Sequence, residues 1–180
     1  MSNSNLFRIA GYCAILTPVL YIVALGVGAL NPALTSPLLV VATIMLLPVV
    51  YALFVVHRAE SSGLALGAAL LTAVGFIVGI FAGDPSVPAN APLYGGSSII
   101  SGAGIVLFGW LAYKSTKMPR GLAIAALITG VLSLLVGITF VAGLGATNLG
   151  NLLNFGLIIP YFVWVIWLGL HFLSGKIATA

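Results

Sequence analysis

The chain has 180 residues, of which 62% are hydrophobic and 4% are charged, and its formal net charge is +4. Soluble domains carry about 25% charged residues, so this composition excludes an ordinary soluble fold. The six basic residues are too few and too scattered to form a nucleic-acid surface, and a single polytopic membrane domain is the class that remains.

Six apolar runs, each long enough to cross a bilayer, divide the chain. At a rise of ~1.5 Å per residue, a helix of about twenty residues spans the ~30 Å hydrocarbon core. Turn-forming or charged stretches separate the runs, most clearly at 83–92 and 114–120. Pro18, Pro48 and Pro160 fall inside predicted helices, where we expect kinks. The predicted fold is all-α, a bundle of six transmembrane helices in one domain over residues 1–180, with helices at about 7–30, 37–57, 63–82, 93–113, 121–142 and 152–173.

The basic residues predict the orientation of this bundle. Six crossings bring both termini to the same side of the membrane, and Arg8, Arg58, Lys176 and the cluster at 114–120 all fall on that side. The three opposite loops contain neither lysine nor arginine. Because lysine and arginine accumulate on the cytoplasmic side, we predict a multi-pass protein of the plasma (cytoplasmic) membrane with both termini in the cytoplasm.

The third apolar run, residues 63–83, carries no charge, and its glycines recur every four residues with one omission at Leu71. Small residues at this spacing let a neighbouring backbone approach closely. We therefore expect this run to be the central packing helix, and helices three and five to pack through small residues. The glycines predicted to do so are Gly63, Gly67, Gly75, Gly79, Gly121 and Gly137.

An internal repeat is a further expectation. A shift of 58 residues aligns the third run with the fifth, with seven identities in eighteen positions, among them Gly63/Gly121 and Gly79/Gly137. A two-helix unit repeated three times in the same orientation would have its axis along the membrane normal. The alternative is that apolar segments match by chance because they share a small alphabet.

The polar side chains within the predicted spans are hydroxyls and amides. Ser101, Thr129 and Ser133 lie within helices four and five, and Asn154 lies near the start of helix six. Such groups ordinarily form hydrogen bonds between closely packed helices. The functional alternative is a polar lining for a pocket that binds an uncharged solute. No paired acids, HExxH, phosphate-binding GxxxxGK[ST] or serine beside a histidine and an acid occur, so no enzymatic activity is predicted.

The two histidines, His57 and His171, are predicted at the cytoplasmic ends of helices two and six. Two imidazoles on different helices are able to clasp a haem, and Trp167 would suit a flat ligand. The alternative is that histidine and tryptophan are at home at the membrane interface. No other cofactor and no metal site is predicted, and Glu60 is expected to neighbour Arg58 in a surface pair of little energy.

Three segments carry a resemblance to known sequences: VGIFAGDP at the end of helix three, KMPRGLAIAALITGVLSLL leading into helix five, and IPYFVWVIWLGLHF closing helix six. With them the chain resembles a broad group of uncharacterised bacterial and archaeal six-helix membrane proteins of unknown function. Relatives often carry a proline and a histidine around the acid after helix three, where this chain has Ala82 to Pro85 without the first and Tyr94 about where the second would be. The resemblance implies the six-helix fold and no activity.

Two classes of function follow from the sequence. The first is a non-catalytic subunit or accessory partner in a membrane assembly, in contact with lipid and with other subunits or further copies of itself. The second is a small transporter or channel for a neutral or lipid-like solute. The first is favoured because the chain lacks the intramembrane charges and broken helices of ion-coupled transporters. A transporter requires a cavity lined by Ser101, Thr129, Ser133 or Asn154, whereas a subunit requires a sealed interior.

Overall fold

The computed structural model describes residues 3–85, 87–175 and 177, and the described chain folds into six long helices joined by short loops. Each helix is long and apolar enough to cross a membrane, so the predicted all-α architecture is confirmed. Lys176, one of the residues used to predict the orientation, lies outside the described residues. The helices are α1 (Asn3–Leu30), α2 (Thr35–His57), α3 (Ser62–Ala82), α4 (Ala91–Lys114), α5 (Arg120–Val141) and α6 (Asn148–Leu173).

Local sequence signals explain where several helices begin and end. Thr147 caps α6, because its Oγ1 accepts a hydrogen bond from the Gly150 N–H at 3.3 Å. Pro92 lies in the first turn of α4, where a missing N–H leaves no helical bond unmade. Gly83 ends α3 with a φ of 70°, which a residue without a Cβ adopts at low cost.

Helix α2 is interrupted at Met45, between the helical segments Thr35–Ile44 and Leu46–His57. Pro48 accounts for the interruption, because its ring has no N–H and clashes with the carbonyl group four residues earlier, at Ile44. The backbone remains near helical geometry at Met45, whose N–H donates to the Val41 carbonyl at 3.0 Å. Of the three prolines expected to kink a helix, Pro48 alone interrupts one in the described structure.

The six helices form a closed ring in chain order. Each helix packs on the preceding and the following one, and α1 packs on α6. Neighbouring helices are antiparallel, as two aromatic contacts between α1 and α6 illustrate. The side-chain centroids of Phe7 and Phe172 lie 5.6 Å apart, and those of Tyr21 and Tyr161 lie 6.2 Å apart. The ring therefore has two distinct ends. We call the end that carries residues 58–61 and 115–119 the basic end, and the end that carries residues 31–34, 83–90 and 142–147 the far end.

The basic end gathers the five basic residues of the described chain, Arg8, Arg58, Lys114, Lys117 and Arg120. Hydrogen bonds tie its loops and helix ends together. Lys117 Nζ donates to a carbonyl at the end of α2 at 3.2 Å, and the Lys117 carbonyl lies 3.3 Å from an imidazole nitrogen at the end of α6. The charge asymmetry predicted from the sequence is thus a property of the folded bundle.

The packing centre of the ring is α4, and the expectation that α3 is central is wrong. In their most apolar windows, 56% of the α4 residues are buried but only 22% of those in α3. Helix α4 lies between α3 and α5, which have no backbone contact with each other in the described structure. Both of those helices pack through small residues against α4, because α4 carries glycine and serine on two of its faces.

One small-residue face of α4 meets α3. A Cβ added to Gly75 of α3 would lie 2.4 Å from the Ser101 backbone nitrogen, and one added to Gly104 would lie 2.7 Å from the Ala68 carbonyl oxygen. A Cβ added to Gly79 would lie 3.4 Å from the Ser97 hydroxyl oxygen. Only residues without a bulky side chain allow the two backbones to approach this closely.

The other small-residue face of α4 meets α5. A Cβ on Gly95 would lie 2.7 Å from the Gly137 carbonyl oxygen, and one on Gly102 would lie 2.9 Å from the Gly130 carbonyl oxygen. The glycines on this face of α4 include Gly109, so they are seven residues apart, which is two helical turns. Regular spacing keeps them on one face along the whole contact.

Gly63 and Gly67, which were expected to pack, have no neighbour within 4 Å of an added Cβ. A spacing of four overshoots the 3.6-residue turn, so these two glycines rotate away from the face that Gly75 occupies. Gly121 packs instead against the indole of Trp167. The buried positions of α3 alternate in steps of three and four before the last turn and are Ala65, Ala68, Thr72, Gly75 and Ala82.

Glycines that the proposed repeat treats as equivalent have different surroundings. A Cβ added to Gly63 would meet nothing within 4 Å, whereas one added to Gly121 would lie 2.5 Å from the Trp167 indole. Gly79 of α3 and Gly137 of α5 both face α4, which follows α3 in the ring but precedes α5. The repeat therefore stays a prediction.

Large apolar side chains cover the outside of the ring. Leu25, Phe81, Leu152 and Ile159 are 60%, 77%, 70% and 71% exposed. A soluble protein would bury such a continuous surface, whereas lipid solvates it. The structure thus supports a multi-pass membrane protein.

Candidate functional site

The interior of the ring is filled unequally along its length. In the basic half, Leu53 of α2, Phe108 of α4, Leu122 of α5 and Leu168 of α6 are at most 3% exposed and belong to one hydrophobic core. In the far half, the interior contains a cavity of about 210 Å³. All six helices contribute to its lining.

The cavity has a polar wall formed by α4. Ser98 Oγ donates to the Tyr94 carbonyl at 3.0 Å, and Ser101 Oγ donates to the Ser97 carbonyl at 2.8 Å. Because these hydroxyl protons are used within the helix, the oxygen lone pairs remain to accept hydrogen bonds from a ligand. The other helices contribute apolar side chains, such as Leu25, together with further hydroxyl and amide groups. No charged side chain lines the cavity in the described chain.

The cavity brings together three of the four hydroxyl and amide residues named from the sequence. Ser101, Ser133 and Asn154 line it. Ser133 Oγ donates to the Thr129 carbonyl at 2.9 Å. Thr129 lies one turn closer to the basic end, is 0% exposed, and does not line the cavity.

A hydrogen bond between two helices frames the far side of the cavity. Tyr94 Oη donates to Asn154 Oδ1 at 3.4 Å, a contact from α4 to α6. With Oδ1 engaged, the Asn154 amide nitrogen is left to donate to a ligand. Tyr21 of α1 and Thr43 of α2 also line the cavity. Leu25 both lines the cavity and is 60% exposed, which puts the opening beside the end of α1.

Tyr94, Thr43 and Tyr21 line the cavity and were not predicted from the sequence. The first has a signal in the sequence: Tyr94, Ser98, Ser101 and Ile105 share one helical face of α4, so the 3.6-residue period connects them. Thr43 and Tyr21 belong to helices that are distant in sequence from α4. Their position depends on the closure of the ring, which no local pattern encodes.

A second group of polar side chains lies at the basic end and is centred on His57. This residue is 0% exposed, and its Nδ1 lies 3.1 Å from Glu60 Oε2. Glu60 Oε1 accepts a hydrogen bond from Ser115 Oγ at 2.5 Å. The expected pair of Glu60 with Arg58 is therefore wrong in the described structure, because the carboxylate turns toward the bundle and the next loop.

The arrangement of the histidines gives no support to haem binding. Glu60 engages His57 Nδ1 and leaves the lone pair of Nε2, whereas His171 Nε2 donates to the Lys117 carbonyl at 3.3 Å and has no lone pair for iron. The Trp167 indole lies over Gly121 as a packing residue. Within the described ranges, no group of three histidine, cysteine, aspartate or glutamate side chains could hold a metal ion.

The Glu60 contacts predict a pH dependence of stability. Partial burial raises the pKa of the Glu60 carboxyl, but hydrogen bonds from Ser115 and His57 and the charge of Lys117 outweigh burial and hold the pKa below its ordinary value. Because the pKa of Glu60 is lower in the folded than in the unfolded state, the ionised carboxylate stabilises the fold at every pH above the unfolded-state pKa. This stabilisation is lost as the pH falls through the folded-state pKa.

We therefore expect the melting temperature of the detergent-solubilised protein to fall as the pH drops below 4.5. Glu60→Gln should melt lower than the wild type at pH 7, and the difference should vanish at the acidic limit. Melting curves across this range test the expectation. A difference between the two proteins that does not change with pH would contradict it.

Comparison of the chain with known protein families, with curated proteins and with solved structures finds no match in any of the three. The resemblance to uncharacterised prokaryotic membrane proteins therefore stays a prediction. The cavity and its lining are the features of the described structure that bear on function.

Proposed function

We propose that this protein binds a small uncharged molecule in the cavity of its far half and is a carrier or channel for that neutral or lipid-like solute. The observation that carries the proposal is a cavity of about 210 Å³ within the helix ring, lined by hydroxyl and amide groups together with apolar side chains. No catalytic step is part of the proposal.

The absence of charge in the described lining supports an uncharged ligand. A charged group moved from water into such a site loses several kcal/mol of solvation unless a partner of opposite charge meets it. The volume supports an organic molecule, since one water occupies about 30 Å³ of the liquid. A molecule with an apolar portion and one or two hydrogen-bonding groups matches this mixed polar and apolar lining.

The orientation that accompanies the proposal has both termini in the cytoplasm of a cell bounded by its plasma membrane. It rests on the collection of Arg8, Arg58, Lys114, Lys117 and Arg120 at the basic end, together with the preference of such residues for the cytoplasmic side. The cavity would then open toward the outside. A three-fold repeat of a two-helix unit would fit the closed ring, whose axis runs along the helices.

A second candidate function is that of a membrane subunit, which the sequence alone favoured. The observation that supports it is the outer surface of α3, where a Cβ added to Gly63 or Gly67 would meet nothing within 4 Å and a partner helix could approach. The carrier or channel is the better-supported proposal because the far half of the interior is hollow, whereas a subunit has no need of a cavity. The partners of such a subunit, other membrane proteins or further copies of this chain, are part of this second proposal.

Thiol labelling tests the proposed cavity. In a Cys13→Ala background, which removes the single cysteine, Ser133→Cys places a thiol in the cavity and Ala126→Cys places one in the packed core on the same face of α5, seven residues away. N-ethylmaleimide, which is small and uncharged, should label Ser133→Cys at least about tenfold faster, because thiol reactivity follows exposure. Equal rates in membranes would reject the proposed function.

A further inference from the structure

The cavity-lining face of α4 continues into the closed, basic half of the ring. Ser101 and Ile105 line the cavity, and Phe108 follows on the same face. Phe108 is 1% exposed, and the centroid of its ring lies 6.3 Å from that of His57. One layer of apolar side chains therefore separates the cavity from His57.

Thr129 lies at the level of this layer. The contacts of Gly102 with Gly130 and of Gly109 with Leu127 set the register of α4 against α5. In that register Thr129 is level with Ile105 of α4. The polar residues of α5 therefore continue from the cavity into the layer.

Two buried polar atoms along this continuation have no hydrogen-bond partner in the described structure, Thr129 Oγ1 and His57 Nε2. Both residues are 0% exposed. A buried polar atom without a partner destabilises the fold, and valine or leucine would fill the same positions without that penalty. Packing alone therefore does not account for these two residues.

The contacts of His57 define which chemistry its unpartnered nitrogen offers. The Glu60 carboxylate accepts a hydrogen bond from His57 Nδ1. Because a carboxylate has no proton to donate, the hydrogen of the neutral imidazole ring is on Nδ1. The lone pair then lies on Nε2, which is a hydrogen-bond acceptor. The other carboxylate oxygen of Glu60 accepts a hydrogen bond from Ser115, which holds the carboxylate in place. Nε2 is thus built to accept a hydrogen bond inside the bundle.

We propose that His57 Nε2 is an inner binding site for a hydroxyl group of the molecule held in the cavity, reached through the cavity when Ile105 and Phe108 change rotamer. Thr129 is the intermediate hydrogen-bonding position. This inference rests on the proposed function and narrows its ligand class to uncharged molecules that carry a hydroxyl group. Hydrocarbons and esters without a donor are excluded by it.

Diethyl pyrocarbonate tests the inner site without a change to the protein. The reagent is small and uncharged and acylates an unprotonated imidazole nitrogen. Peptide mass spectrometry after treatment of proteoliposomes reports His57 and His171 separately, and His171, which is partly exposed at the basic end, is the internal reference. We expect His57 to be modified.

The route of the reagent is tested with a plug in the cavity. Asn154→Phe fills part of the cavity and should slow modification of His57 at least about tenfold while leaving His171 unchanged. Leu152→Phe, on the same helix at a position that is 70% exposed, should change neither rate. Leu25→Trp at the opening serves as a second plug if Asn154→Phe does not fold.

Two results would overturn the inner site. One is an unmodified His57 under conditions that fully modify His171. The other is modification of His57 that neither plug slows, since the reagent would then arrive from the basic end. The outcome is separable from the proposed function: labelled Ser133→Cys with unmodified His57 rejects the inner site alone, whereas unlabelled Ser133→Cys rejects the cavity as well.

Discussion

Gly75→Ala is expected to lower the melting temperature sharply, and Gly67→Ala is expected to leave it unchanged or raise it slightly, although both change a glycine of α3 by one methyl group. The new Cβ of Gly75→Ala would lie 2.4 Å from the Ser101 backbone nitrogen, a distance that the backbones can relieve only by moving apart. Overpacking of this kind costs about 1–3 kcal/mol or more.

Gly67→Ala is the matched control because an added Cβ there meets nothing within 4 Å. Alanine also favours the helix over glycine by up to about 1 kcal/mol. Thermal or denaturant unfolding of the two variants in the same detergent gives the comparison. Equal destabilisation by both would mean that α3 packs through its four-residue glycine spacing and that the ring described above is wrong.

Asn154→Phe is expected to abolish retention of the bound molecule while the bundle stays folded. The phenyl group would enter the cavity from α6, and the amide that hydrogen-bonds Tyr94 and faces the cavity would be lost. We expect at least a ~10-fold loss of bound molecule, equivalent to ~1.4 kcal/mol. Mass spectrometry of small molecules extracted from the purified protein measures it.

Leu152→Phe controls for the added aromatic ring. Leu152 is 70% exposed on the outside of the same helix, so its replacement changes the lipid-facing surface and leaves the cavity intact. The variant should retain the molecule at the wild-type level. Retention by Asn154→Phe at that same level would mean that the molecule binds elsewhere.

Much of the fold could be predicted from the sequence because lipid imposes simple rules. A helix that crosses the hydrocarbon core needs about twenty apolar residues, and few other structures satisfy the backbone there. The bounds of the helices and the collection of basic residues at one end follow from this constraint. Which helix is central does not follow from it.

A pattern of small residues in the sequence indicates the position of α4 at the packing centre. Gly95, Gly102 and Gly109 recur every seven residues and meet α5, while serines and Gly104 on another face meet α3. The glycines of α3 attract attention because they recur every four residues, yet Gly63 and Gly67 lie off the packing face. The helical period of 3.6 residues, and not the count of glycines, determines which face packs.

The candidate site was partly predictable for a physical reason. In a chain with so few charges, Ser101, Ser133 and Asn154 are among the few groups that could form a polar lining, and they line one cavity. The partners of Asn154 and Glu60 could not be predicted, because Tyr94 and Ser115 are 60 and 55 residues away from them in the chain. Such contacts depend on how the ring closes.

A crystal structure of the protein grown from a lipid phase would test the central claim most directly, since that claim concerns what occupies the far half of the ring. We expect density for a small molecule bounded by Ser101, Ser133 and Asn154, with the basic half packed as far as His57. A far half filled by the protein's own side chains, with no space left between Ser101, Ser133 and Asn154, would contradict the account.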